Sequence, residues 1–423
     1  MADDHITMIE KGTLSILKNT SATIVARGAA GLVRIVALLL IARAFGAEQF
    51  GNLSLVLSFI EIFKIVADAG VDTISVRRFA AYTNGREELL NNIVGLKIIL
   101  SIISFIAVPI IFKIIYGNGQ HNDILLIVAS SICTTLVLNA FVSYFQSQLA
   151  MAKALIANLI GSSFFLLFII CGVALQLPLV VMTIVFPLAE IISLIVIMKQ
   201  YTQNHRVRIG FDKEIVWTIL KDSVYAGLGG IIVVTYLRLD TLMIGGILGG
   251  REVGVYSVAY RLIEPFFLLF SSLSLSLYAS LSSSWEVAPA SHSIKMMNRV
   301  IVRAGVLGFL GASIVTFVVP QFVPLISDEY AKAAQVLPVL GWSVFFKAVN
   351  PQLTAVLNSL GKFRIIMVIA AGNLMMTLMF NMILIPLYGI VGAAVTVVAV
   401  EGINTLVQSI TIVVFLKSRV TVD

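Results

Sequence analysis

Long apolar runs recur along the whole of this 423-residue chain and constrain its fold more than any other feature. Each run has about 20 residues, the length that an α-helix needs to cross a bilayer. The predicted transmembrane helices lie at about 21–43, 50–74, 90–112, 124–147, 154–175, 178–198, 222–247, 252–283, 301–319, 333–358, 363–385 and 390–416. Hydrophobic residues make up 59% of the chain and charged residues only 12%, which excludes a soluble domain. The sequence therefore predicts an all-α polytopic membrane protein with about twelve spans.

The distribution of basic residues predicts how these spans are oriented. If the N-terminus is cytoplasmic, most Lys and Arg residues near the span ends fall on the inner side. The outer segments then hold only Arg43, Lys113, Arg251 and Lys332. Short loops that carry positive charge stay in the cytoplasm, so both termini are expected inside. The net charge of +7 reflects this topology, and no nucleic-acid partner is expected.

The longest polar connection, KQYTQNHRVRIGFDKEIVW, separates six spans from six. We therefore predict an N-terminal lobe at 1–198, a cytoplasmic linker at 199–217 and a C-terminal lobe at 218–423. Because each half has an even number of spans, both halves begin on the same side of the membrane. The two lobes are then a parallel repeat, an arrangement in which substrate lies between lobes that rock about it.

Internal similarity supports a duplicated bundle. A shift of 203 residues aligns FGAEQFGNLSLVLSFIEIF (45–63) with LGGREVGVYSVAYRLIEPF (248–266). The shift places Gly46 on Gly249, Gly51 on Gly254 and Glu61 on Glu264. Matches of this kind that coincide with a six-plus-six topology indicate a repeat.

The second span has a polar face. At about 100° per residue, Glu61, Lys64, Asp68 and Asp72 occupy one arc about 80° wide. One charge at the centre of a lipid-facing helix costs about 2.5–3.5 kcal/mol, so this face must meet protein or a wet cavity. We interpret it as a wall of the transport cavity, where Lys64 helps to hold an anionic substrate and Asp68 or Asp72 tunes or couples it.

Two stretches resemble a known family. The segment ARGAAGLVRIVALLLIARAFGAEQFGNLSLVLSF is similar to the opening of the polysaccharide transporter family, the Wzx-type flippases of the MOP superfamily. The segments GREVGVYSVAYRLIEPFF and LNSLGKFR (357–364) are similar to its second half. The resemblance implies a MATE-like fold in a bacterial or archaeal cytoplasmic (inner) membrane. It also implies a flippase that moves polyprenyl-diphosphate-linked oligosaccharides to the outer leaflet by alternating access, for O-antigen, capsule or exopolysaccharide assembly. Membrane lipids and other polysaccharide-assembly proteins are the further partners it implies.

Intramembrane cations are the candidate substrate-binding residues. Arg27 and Arg34 are seven residues apart, within about 20° on one helix face. Two guanidinium groups on one face suit a diphosphate, because each can bind phosphate oxygens in a bidentate fork. The alternative for Arg27 is that it extends to the lipid headgroups. The proposed set of substrate-binding residues is Arg27, Arg34, Lys64, Arg238 and Arg261.

Intramembrane carboxylates are the candidates for ion coupling or pairing, namely Glu61, Asp68, Asp72, Asp240 and Glu264. Glu61 with Lys64, and Glu264 with Arg261, are spaced to form ion pairs within a helix. Asp68, Asp72 and Asp240 lack such a partner, so we expect them to pair across the lobes or to bind H⁺ or Na⁺. For single charges in the outer spans, pairing within one lobe is the simpler interpretation; they are Lys97, Lys347, Glu190 and Glu401.

The sequence favours a flippase over an exporter and over an integral-membrane enzyme. A multidrug or other exporter on the same fold is the main alternative, although such exporters commonly place acidic residues where this first span has arginines. An integral-membrane glycosyltransferase, ligase or polymerase needs an acid/base or metal site, and the sequence shows no such constellation. The four histidines lie in predicted tails or loops, so neither a bound cofactor nor a metal is expected.

Overall fold

A computed structural model gives the fold of the chain. It describes the backbone at 2–81, 85–117, 122–287 and 290–420. Within those ranges it describes side chains from Gly28 to Lys417, apart from residues 268, 271, 272, 275, 279, 283, 286, 287 and 290. The regular secondary structure of the described residues is entirely helical. The predicted all-α fold is confirmed.

The α-helices follow one another through the chain with short connections. In order they are α1 (Ala2–Asp68), α2 (Val71–Ala81), α3 (Arg86–Tyr116), α4 (Asn122–Ala129), α5 (Ser131–Ser147), α6 (Met151–Ala174), α7 (Leu179–Thr183), α8 (Val185–Thr202), α9 (Lys213–Leu248), α10 (Gly250–Val287), α11 (Ala290–Phe317), α12 (Ala331–Ser359) and α13 (Phe363–Val420). Two 3₁₀ turns, Val319–Leu325 and Asp328–Tyr330, connect α11 to α12.

The predicted spans fall on these helices. Helices α1 and α13 each contain two predicted spans, joined at a glycine with non-helical backbone angles, Gly46 in α1 and Gly389 in α13. Eight helical stretches of the described chain are long and apolar enough to cross a membrane. Helices α10 and α12, which carry two further predicted spans, are not among those eight. The chain is a multi-pass helical membrane protein.

The repeat predicted from the sequence has a structural counterpart. Gly46 and Gly249, which the 203-residue shift aligns, both have left-handed backbone angles (φ 76° and 89°). Each lies at the break between two consecutive long helical segments. A side chain is strained at such angles, so glycine is required for the turn.

Two compact units make up the chain. The first consists of residues 1–38 and 60–231, and the second of residues 39–59 and 232–423. These boundaries differ from the predicted lobes, because 39–59 packs with the second half of the chain and the start of α9 packs with the first half. Close helix crossings at glycine account for both exchanges.

In the first unit, α9 crosses the break between α1 and α2. A Cβ added to Gly227 would lie 2.4 Å from the carbonyl oxygen of Ala69, and a Cβ on Gly70 would lie 2.6 Å from that of Ser223. Only glycine lets two backbones approach this closely. Elsewhere in this unit α3, α5 and α8 contribute to a core in which the ring of Tyr201 contacts the rings of Phe141 and Tyr144.

In the second unit, the two copies of the repeated glycine motif pack against each other. A Cβ added to Gly51 would lie 1.7 Å from the carbonyl oxygen of Gly250, and one on Gly254 would lie 1.9 Å from that of Ala47. Residues that are equivalent in sequence therefore make reciprocal contacts. A hydrogen bond within the same unit also holds the second half of α1, because the backbone amide of Ala47 donates to Glu329 Oε2 (2.8 Å).

Candidate functional site

Arg34, Glu190 and Lys64 form a charge cluster in the first unit. An Arg34 guanidinium nitrogen (Nη2) lies 2.9 Å from Glu190 Oε1. The Arg34 side chain is 44% exposed, whereas that of Glu190 is 11% exposed. Lys64 lies within electrostatic range of Glu190, Arg34 and Glu61. Glu190 therefore pairs with Arg34 and interacts electrostatically with a second cation, Lys64, while the Arg34 side chain stays partly exposed.

Lys97 forms a second cluster in the same unit. Its ammonium lies 2.9 Å from Asp68 Oδ1 and also contacts Asp72 Oδ1. The hydroxyl of Ser143 donates to the same Asp72 oxygen over 3.2 Å, and the Asp72 amide donates to Asp68 across the break after α1. The Lys97 side chain has no exposed surface. This network fixes α3 against the end of α1 and the start of α2.

The partner of Asp68 and Asp72 corrects the sequence interpretation. From the sequence we expected Asp68 and Asp72 to pair across the lobes or to bind H⁺ or Na⁺. In the structure both aspartates pair with Lys97 inside the first unit. Helical spacing misses this pair because Lys97 comes from another helix.

The second unit contains a network around Glu401. Lys347 Nζ lies 3.2 Å from Glu401 Oε1, to which the hydroxyl of Tyr236 also donates. The amide of Asn350 donates to Glu401 Oε2 over 2.6 Å. Lys347 also lies over the ring of Phe267, 5.0 Å from its centroid. Glu401 is thus satisfied by three donors, and its charge is balanced by Lys347.

Glu190 and Glu401 occupy related places in the two halves. Each carboxylate bonds to the first helix of its own half, Glu190 to Arg34 in α1 and Glu401 to Tyr236 in α9. The predicted pairing of these glutamates and of Lys97 and Lys347 within a lobe is seen within single units.

Asp240 differs from the other intramembrane carboxylates. It is 5% exposed, and its oxygens accept from the amide of Asn381 (2.7 Å) and from the hydroxyl of Tyr256 (3.4 Å). Among the described residues no Lys or Arg forms an ion pair with it. Two buried oxygens on α13, Asn381 Oδ1 and Thr377 Oγ1, have no hydrogen-bond partner in that same part of the chain.

Three more of the predicted site residues, Arg238, Arg261 and Glu264, lie in the second unit. Arg261 and Glu264 form the ion pair expected from their spacing, with Nη1 and Oε2 2.7 Å apart. Arg238 and Glu264 line a cavity of about 820 Å³ together with Lys347 and Glu401. The side chain of Arg27 lies outside the described residues.

No group of three or more His, Cys, Asp or Glu side chains that could hold a metal occurs in the described ranges. Residues that sequence reasoning did not assign to the site include the amides Asn350 and Asn381. In the sequence, each is a carboxamide in an otherwise apolar span. That pattern does not identify a site unless the helix facing the amide is known.

Comparison with known proteins agrees with this architecture. A sequence model of the family described as "Polysaccharide biosynthesis protein" matches residues 16–278, and the MatE family model matches residues 226–387. The chain is 25% identical over 202 residues to the "Probable flippase AglR" of Haloferax volcanii. That alignment covers 44% of this chain and 42% of the relative, so the chain matches less than half the length of that relative.

Solved structures share the fold. A multidrug resistance MATE family transporter of the MOP superfamily, in its inward-facing conformation, superposes with a TM-score of 0.75 at 15% identity, over 92% of this chain and 96% of the other. The lipid II flippase MurJ, in an inward closed conformation, gives a TM-score of 0.75 at 14% identity, over 92% and 87%. The family match spans more than half of the sequence. The chain belongs to the polysaccharide biosynthesis protein family and has the MATE fold.

Proposed function

We propose that the protein is a flippase that moves polyprenyl-diphosphate-linked oligosaccharides from the cytoplasmic to the outer leaflet for O-antigen, capsule or exopolysaccharide assembly. The observation that carries this proposal is the polysaccharide biosynthesis family match across residues 16–278. The names of two relatives, a probable flippase and a lipid II flippase, support it. The inner membrane and the inside position of both termini belong to the same proposal.

The cluster at Glu190 supports an anionic headgroup as substrate. Arg34 is held by one carboxylate yet remains 44% exposed. The exposed part of the Arg34 side chain is available to a diphosphate, and Lys64, which interacts electrostatically with Arg34 and Glu190, adds a second positive charge to the cluster. We propose that Arg34 and Lys64 bind the diphosphate, and that Arg27, Arg238 and Arg261 contribute further positive charge.

Asp240 is the best candidate for the coupling group. Coupling requires a carboxylate that can change its charge or partner between states, and Asp68 and Asp72 are tied to Lys97. Asp240 instead has neutral partners, Asn381 and Tyr256. We propose that it binds H⁺ or Na⁺, with the unpartnered oxygens of Asn381 and Thr377 available to a hard cation.

The alternative function is that of a multidrug or other exporter with the same fold. A deletion strain distinguishes it from a flippase. In a strain that lacks the gene, we expect surface polysaccharide to be lost and lipid-linked glycan to accumulate. Plasmid-borne wild type restores export, whereas Arg34→Gln and Lys64→Gln restore little. Lys332→Gln is the matched control, because Lys332 is 64% exposed and pairs with Glu252. Normal surface glycan in the deletion strain, with lost drug resistance, would instead establish the exporter.

The coupling proposal has its own test. Export by Asp240→Asn should become independent of external sodium or pH, whichever drives the wild type, and its rate should fall at least tenfold. Asp222→Asn is the control, since Asp222 forms an exposed ion pair with Arg78. An unchanged ion dependence in Asp240→Asn contradicts the assignment of Asp240 and leaves the flippase proposal standing.

A further inference from the structure

The cavity of about 820 Å³ in the second unit has a lining unlike that of an anion site. Its charged residues are two cations, Arg238 and Lys347, and two carboxylates, Glu264 and Glu401. These charges balance, and Lys347 is already paired with Glu401 at 3.2 Å. A diphosphate gains little from a lining without excess positive charge. The ligand that fits this cavity needs no net charge, and most of the surface that it meets is apolar.

Carboxamides supply the polar part of the lining. Asn358, Asn373 and Asn404 all border the cavity. Asn373 is only 5% exposed and Asn404 only 7%. The side-chain oxygen of Asn404 accepts from the amide of Gln408 (2.9 Å). Each amide offers both donors and acceptors to a ligand.

Aromatic rings supply the rest of the recognition surface. Tyr260, Phe267, Tyr278 and Phe363 line the same cavity, and Tyr278 is 41% exposed. A sugar ring has apolar C–H faces and an edge of hydroxyls, so it can stack on an aromatic ring while its hydroxyls bond to amides. An isoprenoid chain would instead leave these buried amides without partners.

We infer that this cavity binds sugar residues of the transported glycan, whereas Arg34 and Lys64, which belong to the first unit, are the residues proposed to bind its diphosphate. The volume lies within the range of ligand-binding cavities. This inference rests on the proposed function, because the sugars reach the cavity as part of the lipid-linked substrate. It assigns glycan selectivity to α9, α10, α12 and α13, the helices that line the cavity.

The test measures binding of three probes to the full chain in nanodiscs. The probes are the lipid-linked glycan purified from cells lacking the gene, the soluble glycan released from it by mild acid, and polyprenyl diphosphate without sugar. The main variant is Asn373→Leu, which removes the amide at similar volume. Asn298→Leu is the matched control, since Asn298 is exposed on α11 and does not line the cavity.

We expect Asn373→Leu to raise the Kd of the lipid-linked and released glycans about three- to tenfold, the loss of one or two hydrogen bonds. Its Kd for the sugar-free lipid should equal that of wild type and of Asn298→Leu. If Asn373→Leu does not fold, Tyr278→Ala gives the same comparison at a partly exposed residue. Tighter binding of the sugar-free lipid by Asn373→Leu would overturn the inference in favour of an isoprenoid site.

The two proposals fail in different ways. If the lipid-linked glycan binds wild type but the released glycan does not compete, or all three probes weaken equally in Asn373→Leu, only the sugar site is wrong. An unchanged Kd for every probe in a folded variant has the same meaning. If no lipid-linked glycan accumulates in the deletion strain, the proposed function fails and the sugar site fails with it.

Discussion

Lys97 illustrates how a single residue can be charged and wholly buried within a membrane protein. Its ammonium is held by Asp68 and Asp72, and its side chain has no exposed surface. Removing one member of such a cluster leaves the others desolvated and uncompensated, which costs far more than the intact cluster contributes. The role of this network is therefore structural, and it contrasts with the half-exposed Arg34.

Replacing Lys97 by Met should destabilise the protein by about 3–5 kcal/mol, because two carboxylates lose their cation. Adding Asp68→Asn and Asp72→Asn to Lys97→Met should recover most of that loss. Thermal unfolding of the purified variants in one detergent measures both effects. Lys332→Met serves as the exposed control. A triple variant no more stable than Lys97→Met would show that the carboxylates have roles beyond pairing.

At the scale of helices, the repeated glycines determine which elements pack together. Gly51 and Gly254 are equivalent in sequence and meet the backbone of each other's helix within the second unit. Backbone atoms cannot rotate away as a side chain can, so an added methyl group must separate the two helices. Separation would also remove dispersion contacts along the crossing.

Gly51→Ala and Gly254→Ala should each lower stability by about 3 kcal/mol or more and reduce the yield of monodisperse protein. Gly372→Ala is the control, because Gly372 is helical and has open space beside it. It should be neutral or slightly stabilising, since Ala is favoured over Gly in helices. Size-exclusion profiles of fluorescent fusions report all three. Equal profiles for Gly51→Ala and Gly372→Ala would contradict the tight crossing.

The connection between α8 and α9 is tied to α3. The backbone amides of Arg208 and Gly210 donate to the side-chain and main-chain oxygens of Asn91 (2.9 and 3.1 Å). A Cβ on Gly95 would lie 2.1 Å from the Gly210 carbonyl oxygen, so the connection runs directly over α3. The segment predicted as a linker is thus fixed to the first unit by its main chain.

Asn91→Ala should loosen this connection and speed trypsin cleavage after Arg208 about fivefold, the effect of losing one hydrogen bond of about 1 kcal/mol. Cleavage is followed by the appearance of the two fragments on a denaturing gel. Gln203→Ala, at an exposed position of the same connection, should be cut at the wild-type rate. Identical rates for the two variants would show that the Asn91 bond does not hold the segment.

At the scale of the whole molecule, the sequence predicted the positions of the helices better than the contacts between them. Apolar run length located the helices, and the repeat aligned Gly46 with Gly249, at both of which the structure has a break. The partners of Asp68 and Glu401 were not assignable, because pairing between helices depends on their rotation and neighbours. The boundaries of the compact units shifted for the same reason: crossings such as Gly51 with Gly250 are made between distant segments.

The proposed direction of transport depends on the predicted orientation, with both termini in the cytoplasm. Gln321 lies in the predicted outer segment after α11 and Arg206 in the predicted inner connection, and both are exposed. After Cys133→Ala and Cys171→Ala remove the native thiols, a membrane-impermeant maleimide should label Gln321→Cys in intact cells. Arg206→Cys should be labelled only after lysis, because the basic segment around it is retained inside. The opposite labelling pattern would show that the orientation is the reverse of the predicted one. The substrate proposed to bind at Arg34 would then move inward rather than outward.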